Sequence, residues 1–205
     1  MQVEARELTK IFGKQLVFSK VSLSISSGQS MAILGRNGSG KTTLLRCLAG
    51  LLRPNSGEVK WLNESKEGDY YQWPQRLTFA APYMELIEEL QLTELLQLHG
   101  KLRRYQDGLT IADVLDISGL KNASKKEIRN FSSGMKQRLK LTLAFCTDSD
   151  IVFLDEPTSN LDEQAIQWFQ KLAAERLANR TLIIGSNHIE AETSLCSNSF
   201  DLSRN

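Results

Sequence analysis

The sequence predicts an α/β fold: a phosphate-binding core with an N-terminal antiparallel β subdomain and an inserted α-helical subdomain. Three observations carry this. Apolar and polar residues alternate through the first segments, a short apolar run then enters a helix through a glycine-rich loop, and the mixed pattern is interrupted by a long helical stretch before it resumes.

In order along the chain, "VEARELTKIF" and "LVFSKVSLSISSG" alternate like strands of an antiparallel sheet. "SMAILG" is a buried strand ending in turn residues, and "KTTLLRCLAGLL" has helical spacing. "RPNSGEVKWLN" is a turn into a strand, and "QRLTFAA" is a further strand. Leu and Ile at three- and four-residue intervals predict helices in "MELIEELQLTELLQLHGKLRR", "TIADVLDISGL" and "SSGMKQRLKLTLAF". Strand "DIVFLDEP", helix "DEQAIQWFQKLAAERLA" and strand "RTLIIGSN" follow. With no repeat, low-complexity tract or linker, 1–205 is expected to be one domain, its core at about 1–82 and 149–205 and its helical insert at about 83–148.

Of 205 residues, 41% are hydrophobic and 24% charged, enough for a full core. Twenty-five Lys and Arg against 24 Asp and Glu leave a formal charge of +1, without the basic excess that drives phosphate-backbone binding, so no nucleic-acid partner is expected. Cys47, Cys146 and Cys196 are widely spaced with no CxxC pair, as reduced core thiols of a cytoplasmic protein would be. Charges in "MQVEARELTKIFGK" exclude a signal-peptide core, and no window has the ~18 apolar residues of a membrane span. Work at a membrane would require a partner.

The strongest chemical signal is "GRNGSGKT", Gly35 to Thr42, between a predicted strand and a predicted helix. It marks a P-loop NTPase core. Gly35, Arg36, Asn37, Gly38, Ser39 and Gly40 wrap an anion with backbone N–H groups, and the helix start adds its positive dipole end. Lys41 reaches the β- and γ-phosphates, Thr42 offers a hydroxyl to Mg²⁺, and Thr43 follows on the same turn. In "IVFLDEP", four apolar residues bury a strand whose carboxyl end carries Asp155 and Glu156, at the sheet edge where ligands of parallel sheets bind. Asp155 is the candidate Mg²⁺ holder and Glu156 the candidate base for the water attacking a γ-phosphate. "FSSGMKQR" presents Ser132 or Ser133 with the Gly134 backbone at a helix start, an anion site with neither lysine nor metal ligand, able to complete a site but not to build one.

In order and spacing, "GRNGSGKTT", "FSSGMKQR", "IVFLDEPTSNLD" and the histidine of "IIGSNH" resemble the ABC-type ATPase domain, the nucleotide-binding subunit of ABC transporters, over nearly the whole chain. The resemblance implies ATP and Mg²⁺ as ligands and hydrolysis coupled to transport by separate integral membrane permease subunits. It implies a head-to-tail dimer, homo- or heterodimeric, in which Ser132, Ser133 and Gly134 cap the ATP on the opposite chain's P-loop. Ser133 stands where the family more often has glycine. Phe12 matches the aromatic that stacks on adenine, with a core ring as the other assignment; Asp162 matches the D-loop aspartate and His188 the switch histidine that contacts the γ-phosphate. Ala81 or Pro82 falls where the family has a glutamine that touches metal and water, and neither can replace its side chain. Tyr83, Met84 and Leu86 are the implied permease contacts, and the implied location is cytoplasmic, peripheral on the inner face of the cell membrane through the permease. An ABC-type ATPase acting on nucleic acid or ribosomes, or a slow regulatory ATP-binding module, is the other function class. The first would carry long coiled coils or a second ATPase domain, which are missing from this sequence, and the second draws on the missing glutamine alone.

Overall fold

The computed structural model describes residues 1–63, 66–67 and 73–204. β1 (Gln2–Phe12) and β2 (Gln15–Ile25) form a hairpin, Phe12 pairing with Gln15 across a two-residue turn at Gly13 and Lys14. β3 (Ser30–Leu34) leads into α1 (Lys41–Leu48), and β4 (Ser56–Asn63) returns antiparallel to β1, followed by the short β5 (Lys66–Glu67). β6 (Leu77–Ala80) precedes the insert, with α2 (Leu92–Leu102), α3 (Ile111–Ser118) and α4 (Ser133–Cys146). β7 (Ile151–Asp155), α5 (Glu163–Arg176), β8 (Thr181–Ser186), α6 (Glu190–Thr193) and β9 (Asn198–Asp201) follow.

Two sheets result: an antiparallel one in the order β2-β1-β4-β5, and a parallel one in the order β6-β7-β8-β3-β9. The α/β expectation holds. The central parallel strands β7 and β8 are buried on both faces, and their alternation sorts the core into layers. Ile151, Phe153 and Ile183 pack on α1 (Leu44, Leu45, Leu48) and through it on Val3, Leu8 and Val21 of the antiparallel sheet. Val152, Leu154, Leu182 and Ile184 pack on the other face, against Leu141 and Phe145 of α4 and Phe169 and Leu172 of α5. The insert has a core of its own around Leu92, Leu96, Val114, Ile128 and Leu139. Cys47 and Cys146 are buried, Cys196 is half-buried, and all three are free thiols. Burial pushes them up, to about 11, 11 and 12 respectively, which keeps them protonated and fits the core-thiol reading.

One expectation needs correction. The leucine spacing of "MELIEELQLTELL" predicts one helix, yet 81–91 is a loop and α2 begins only at Leu92. Its backbone is bonded elsewhere: the Ala81 and Pro82 carbonyls accept from Lys140 Nζ at 3.2 and 2.6 Å, and those of Glu88 and Leu90 from the N–H groups of Arg129 and Ile128, both at 3.0 Å. The helix starts where Glu94 Oε2 caps the Gln91 N–H at 2.8 Å. Leu86 and Leu90 pack on the insert's core from this loop, so the periodicity reflected burial without helix. α4, the last helix of the insert, serves both cores: Leu139 and Cys146 face the insert, Leu141 and Phe145 the sheet.

Candidate nucleotide site

β3 points the loop 35–40 at the carboxyl edge of the parallel sheet, where α1 begins. Gly40, just before the helix, has φ 99°, and a Cβ there would stand 2.6 Å from Val17 Cγ1, so both conformation and space select glycine. The first-turn N–H groups of Lys41, Thr42 and Thr43 have no acceptor within the helix and face the loop. Lys41 is 4% exposed, and its three N–H donors go to Gly35 O (2.9 Å), Arg36 O (3.1 Å) and Asn187 Oδ1 (2.5 Å). Buried among oxygens, the ammonium is fixed toward the mouth of the loop.

β7 ends beside this loop. Asp155 is buried, and its Oδ2 accepts from Thr42 Oγ1 at 2.5 Å while its Oδ1 has no hydrogen-bond partner. Burial raises its pKa above the ordinary aspartate value; the Thr42 hydroxyl and Lys41 oppose this, and Glu156 and Glu192 add to it. An unpaired carboxylate oxygen and the adjacent Thr42 hydroxyl form a hard-oxygen donor set. That set fits Mg²⁺, which takes few protein ligands and keeps waters. Glu156 follows in a left-handed turn (φ 44°), its N–H bonded to Gly185 O at 2.9 Å, its side chain about one-third exposed and Oε1 3.8 Å from Lys41 Nζ. Strain there costs on the order of 1 kcal/mol and turns the carboxylate to the site mouth.

Asn187, which the sequence analysis did not single out, joins these parts. Its Oδ1 accepts from Lys41, and its Nδ2 donates to Asn37 Oδ1 (2.5 Å) and Glu156 Oε1 (3.1 Å). Its position directly before His188 was the one available signal. His188 itself, at φ 64°, is exposed and makes no hydrogen bond among the described residues; it borders a depression with Leu34 and Cys196. Phe12 is 50% exposed at the hairpin tip, with Lys10 Nζ 5.0 Å from the ring centroid. Of its two assignments, the core ring is excluded.

The second helix start is a different object. Ser132 is the N-cap of α4, its Oγ accepting from Met135 N at 3.2 Å; Ser133 opens the helix, and both are exposed. A Cβ on Gly134 would come within 3.0 Å of Asn160 O, so the loop after β7 crowds this residue. Gln137, buried one turn on, donates to Pro157 O at 2.9 Å and ties α4 to the same loop. Asp162 caps α5, its Oδ1 accepting from Ala165 N at 2.8 Å. The glutamine position offers no polar side chain: Ala81 is fully buried and Pro82 has none to offer. Tyr83, next in line, is half-exposed, with its phenol pushed up to about 12 by burial first and Asp155 second.

The sequence pattern of the family described as ABC transporter matches residues 18–159. Among curated proteins, the ABC transporter ATP-binding protein YcbN of Bacillus subtilis (strain 168) is 36% identical over 189 residues, 90% of this chain and 61% of YcbN. YybJ of the same organism, also an ABC transporter ATP-binding protein, is 33% identical over 195 residues, 95% of this chain and 89% of YybJ. A solved structure of a putative ABC transporter ATP-binding protein from Pyrococcus furiosus matches the fold with TM-score 0.82 at 22% identity, covering 100% of this chain and 98% of that one. With a family match over well more than half its length and relatives above 30% identity, the chain belongs to the ABC transporter family, as one of its ATP-binding members.

Proposed function

We propose that the chain binds MgATP and hydrolyses it to drive transport by separate membrane subunits. The observation that carries this reading is the convergence of Lys41, Thr42, Asp155 and Glu156 at one sheet edge, within direct or one-residue bonding of each other. The loop 35–40 cradles the phosphates and Lys41 neutralises their oxygens, with Thr43 supplying a further N–H donor. Thr42 and Asp155 hold Mg²⁺, which when bound offsets negative charge on the β- and γ-phosphates. Phe12 stacks on adenine. Glu156 takes the proton of the attacking water as the bond from the γ-phosphorus to the bridging oxygen breaks, leaving ADP and phosphate. His188, next to Asn187 in the same turn, is assigned to the γ-phosphate.

Ser132, Ser133 and Gly134 supply a cap with no metal ligand or lysine, so a head-to-tail dimer completes each site, with Asp162 at the boundary. A homodimer is the simplest assembly, since one chain carries every part. The permease is assigned to the cavity of about 400 Å³ at the junction of core and insert, lined by Leu51, Trp73, Phe79, Met84 and Leu86, with Tyr83 exposed in the same loop. No helix among the described residues is long and apolar enough to cross a membrane, so on this reading the chain sits peripherally on the cytoplasmic face through that partner.

The test is Mg²⁺-dependent ATP hydrolysis beside Glu156→Gln, with size-exclusion chromatography in ATP. A loss of roughly 10²–10⁴-fold in kcat, with an ATP-trapped dimer in the variant, is expected. Undiminished turnover in Glu156→Gln refutes the base assignment. ATP binding without turnover in the wild type, even with its membrane subunits, favours the regulatory module.

A further inference from the structure

Lys41 and Glu156 carry opposite charges 3.8 Å apart, close enough for an ion pair but not hydrogen-bonded. The reason lies in the donor count. An ammonium has three N–H groups, and those of Lys41 go to Gly35 O, Arg36 O and Asn187 Oδ1. The Asn187 amide then passes the connection on, one Nδ2 hydrogen to Glu156 Oε1 and the other to Asn37 Oδ1. A neutral side chain therefore stands between base and lysine, using both its donors and one acceptor lone pair.

The backbone around it is fixed independently. Glu192 is fully buried, and its carboxylate accepts from Thr158 N (3.0 Å), Thr158 Oγ1 (2.6 Å) and Ser186 Oγ (2.5 Å). Ser186 directly precedes Asn187, and Thr158 lies two residues past Glu156. The bond from Glu156 N to Gly185 O closes the same ring. The two strand-end loops are thus tied at their bases, which holds Asn187 opposite Glu156.

We propose that Asn187 is a positioning residue for hydrolysis: it keeps the Glu156 carboxylate off Lys41 and oriented toward the attacking water, and it links that carboxylate to the phosphate loop through Asn37. The proposal rests on Glu156 as the base. Without the amide, the third N–H of Lys41 is free to pair with Glu156, a charge-assisted bond that turns the carboxylate away from water. Asn187 acts through Glu156, so its loss falls on the chemical step and leaves ground-state binding largely intact.

The experiment uses Asn187→Ala, Glu156→Gln and the double variant in the full chain, with kcat from Mg²⁺-ATP hydrolysis, single-turnover rates at high enzyme, and equilibrium affinity for a non-hydrolysable Mg²⁺-ATP analogue. Asn187→Ala is expected to lower kcat roughly 10- to 100-fold with analogue affinity within about threefold of wild type. In the Glu156→Gln background the same substitution has little further effect, because both act through one carboxylate. Full kcat in Asn187→Ala, with Glu156→Gln still inactive, overturns the positioning role alone. So does a loss of analogue affinity that accounts for the whole effect, or an equal fold-loss in both backgrounds. Undiminished turnover in Glu156→Gln overturns the base assignment, and the positioning role with it. A Thr158→Val variant, which removes one hydroxyl from the Glu192 clamp, should lower kcat in the same direction by a smaller factor, and provides the reading if Asn187→Ala does not fold.

Discussion

At the start of α1 a buried lysine and a threonine hydroxyl meet two acids at the end of another strand, Asp155 by a hydrogen bond and Glu156 through Asn187, while at the start of α4 two exposed serines and a glycine meet, among the described residues, their own helix and a neighbouring carbonyl. Both are helix N-termini aimed at solvent, and both suit an anion. The difference is charge and metal ligands. On the proposed function the first holds a triphosphate, and the second adds N–H groups and hydroxyls to a phosphate held by the opposite chain. One chain would then contain a nearly finished site and a cap for another. One bond, from Gln137 to Pro157 O, ties α4 to the loop that follows Glu156, and Gly134 packs closely against Asn160 O of that loop.

The sharpest way to break this comparison is complementation. Lys41→Ala removes the finished site and Ser132→Arg blocks the cap, and each homodimer should lose at least about 100-fold in hydrolysis. Mixed, they form dimers with one intact site, so random pairing should restore about a quarter of the wild-type rate. If the mixture stays as inactive as its components, the cap does not act across a dimer.

A smaller effect concerns a polar group finished inside the chain without any partner. His99 lines the junction cavity, and its Nε2 is 2.7 Å from Thr147 Oγ1. The Thr147 hydroxyl donates to Leu143 O at 2.6 Å, so the imidazole Nε2–H is the donor to Thr147 Oγ1. Burial, helped by Arg103, lowers it to about 4 from 6.5. The unfolded chain then binds more protons between these values, so stability is fully present above about pH 6.5 and is lost as pH falls toward 4, by up to about 3 kcal/mol. Urea titrations should show this slope in the wild type and a flatter one in His99→Gln; equal slopes would mean the ring is hydrated.

The smallest expected effect is at the hairpin tip. Phe12→Ala should weaken ATP binding about three- to tenfold, the worth of one aromatic stack, with Phe12→Tyr near wild type. Unchanged affinity in the alanine variant would remove Phe12 from the site.

The phosphate loop, the acid pair and the signature turn were legible in the sequence because each is local: a turn that requires glycine, a strand that must be apolar, a helix that needs a cap. The long strands were legible for the same reason, β1 and β2 through period-two alternation and β3, β7 and β8 through short apolar runs. Asn187 was not, since an amide's role depends on whether Lys41, Asn37 and Glu156, from three separate segments, come within its reach. The loop at 81–91 was misread because leucines packed from an irregular backbone mimic helical spacing, and only the bonds from Lys140, Ile128 and Arg129 distinguish the two. β9 was missed because "NSFD" is too short and polar for alternation to register, and it exists only because β3 offers an edge to pair with. The sequence by itself determined which anion-binding parts this protein owns, for their chemistry lies in residue type and short spacing. The tertiary structure decided which parts meet: parallel pairing brings the ends of β3, β7 and β8 to one edge, while the start of α4 is left facing outward.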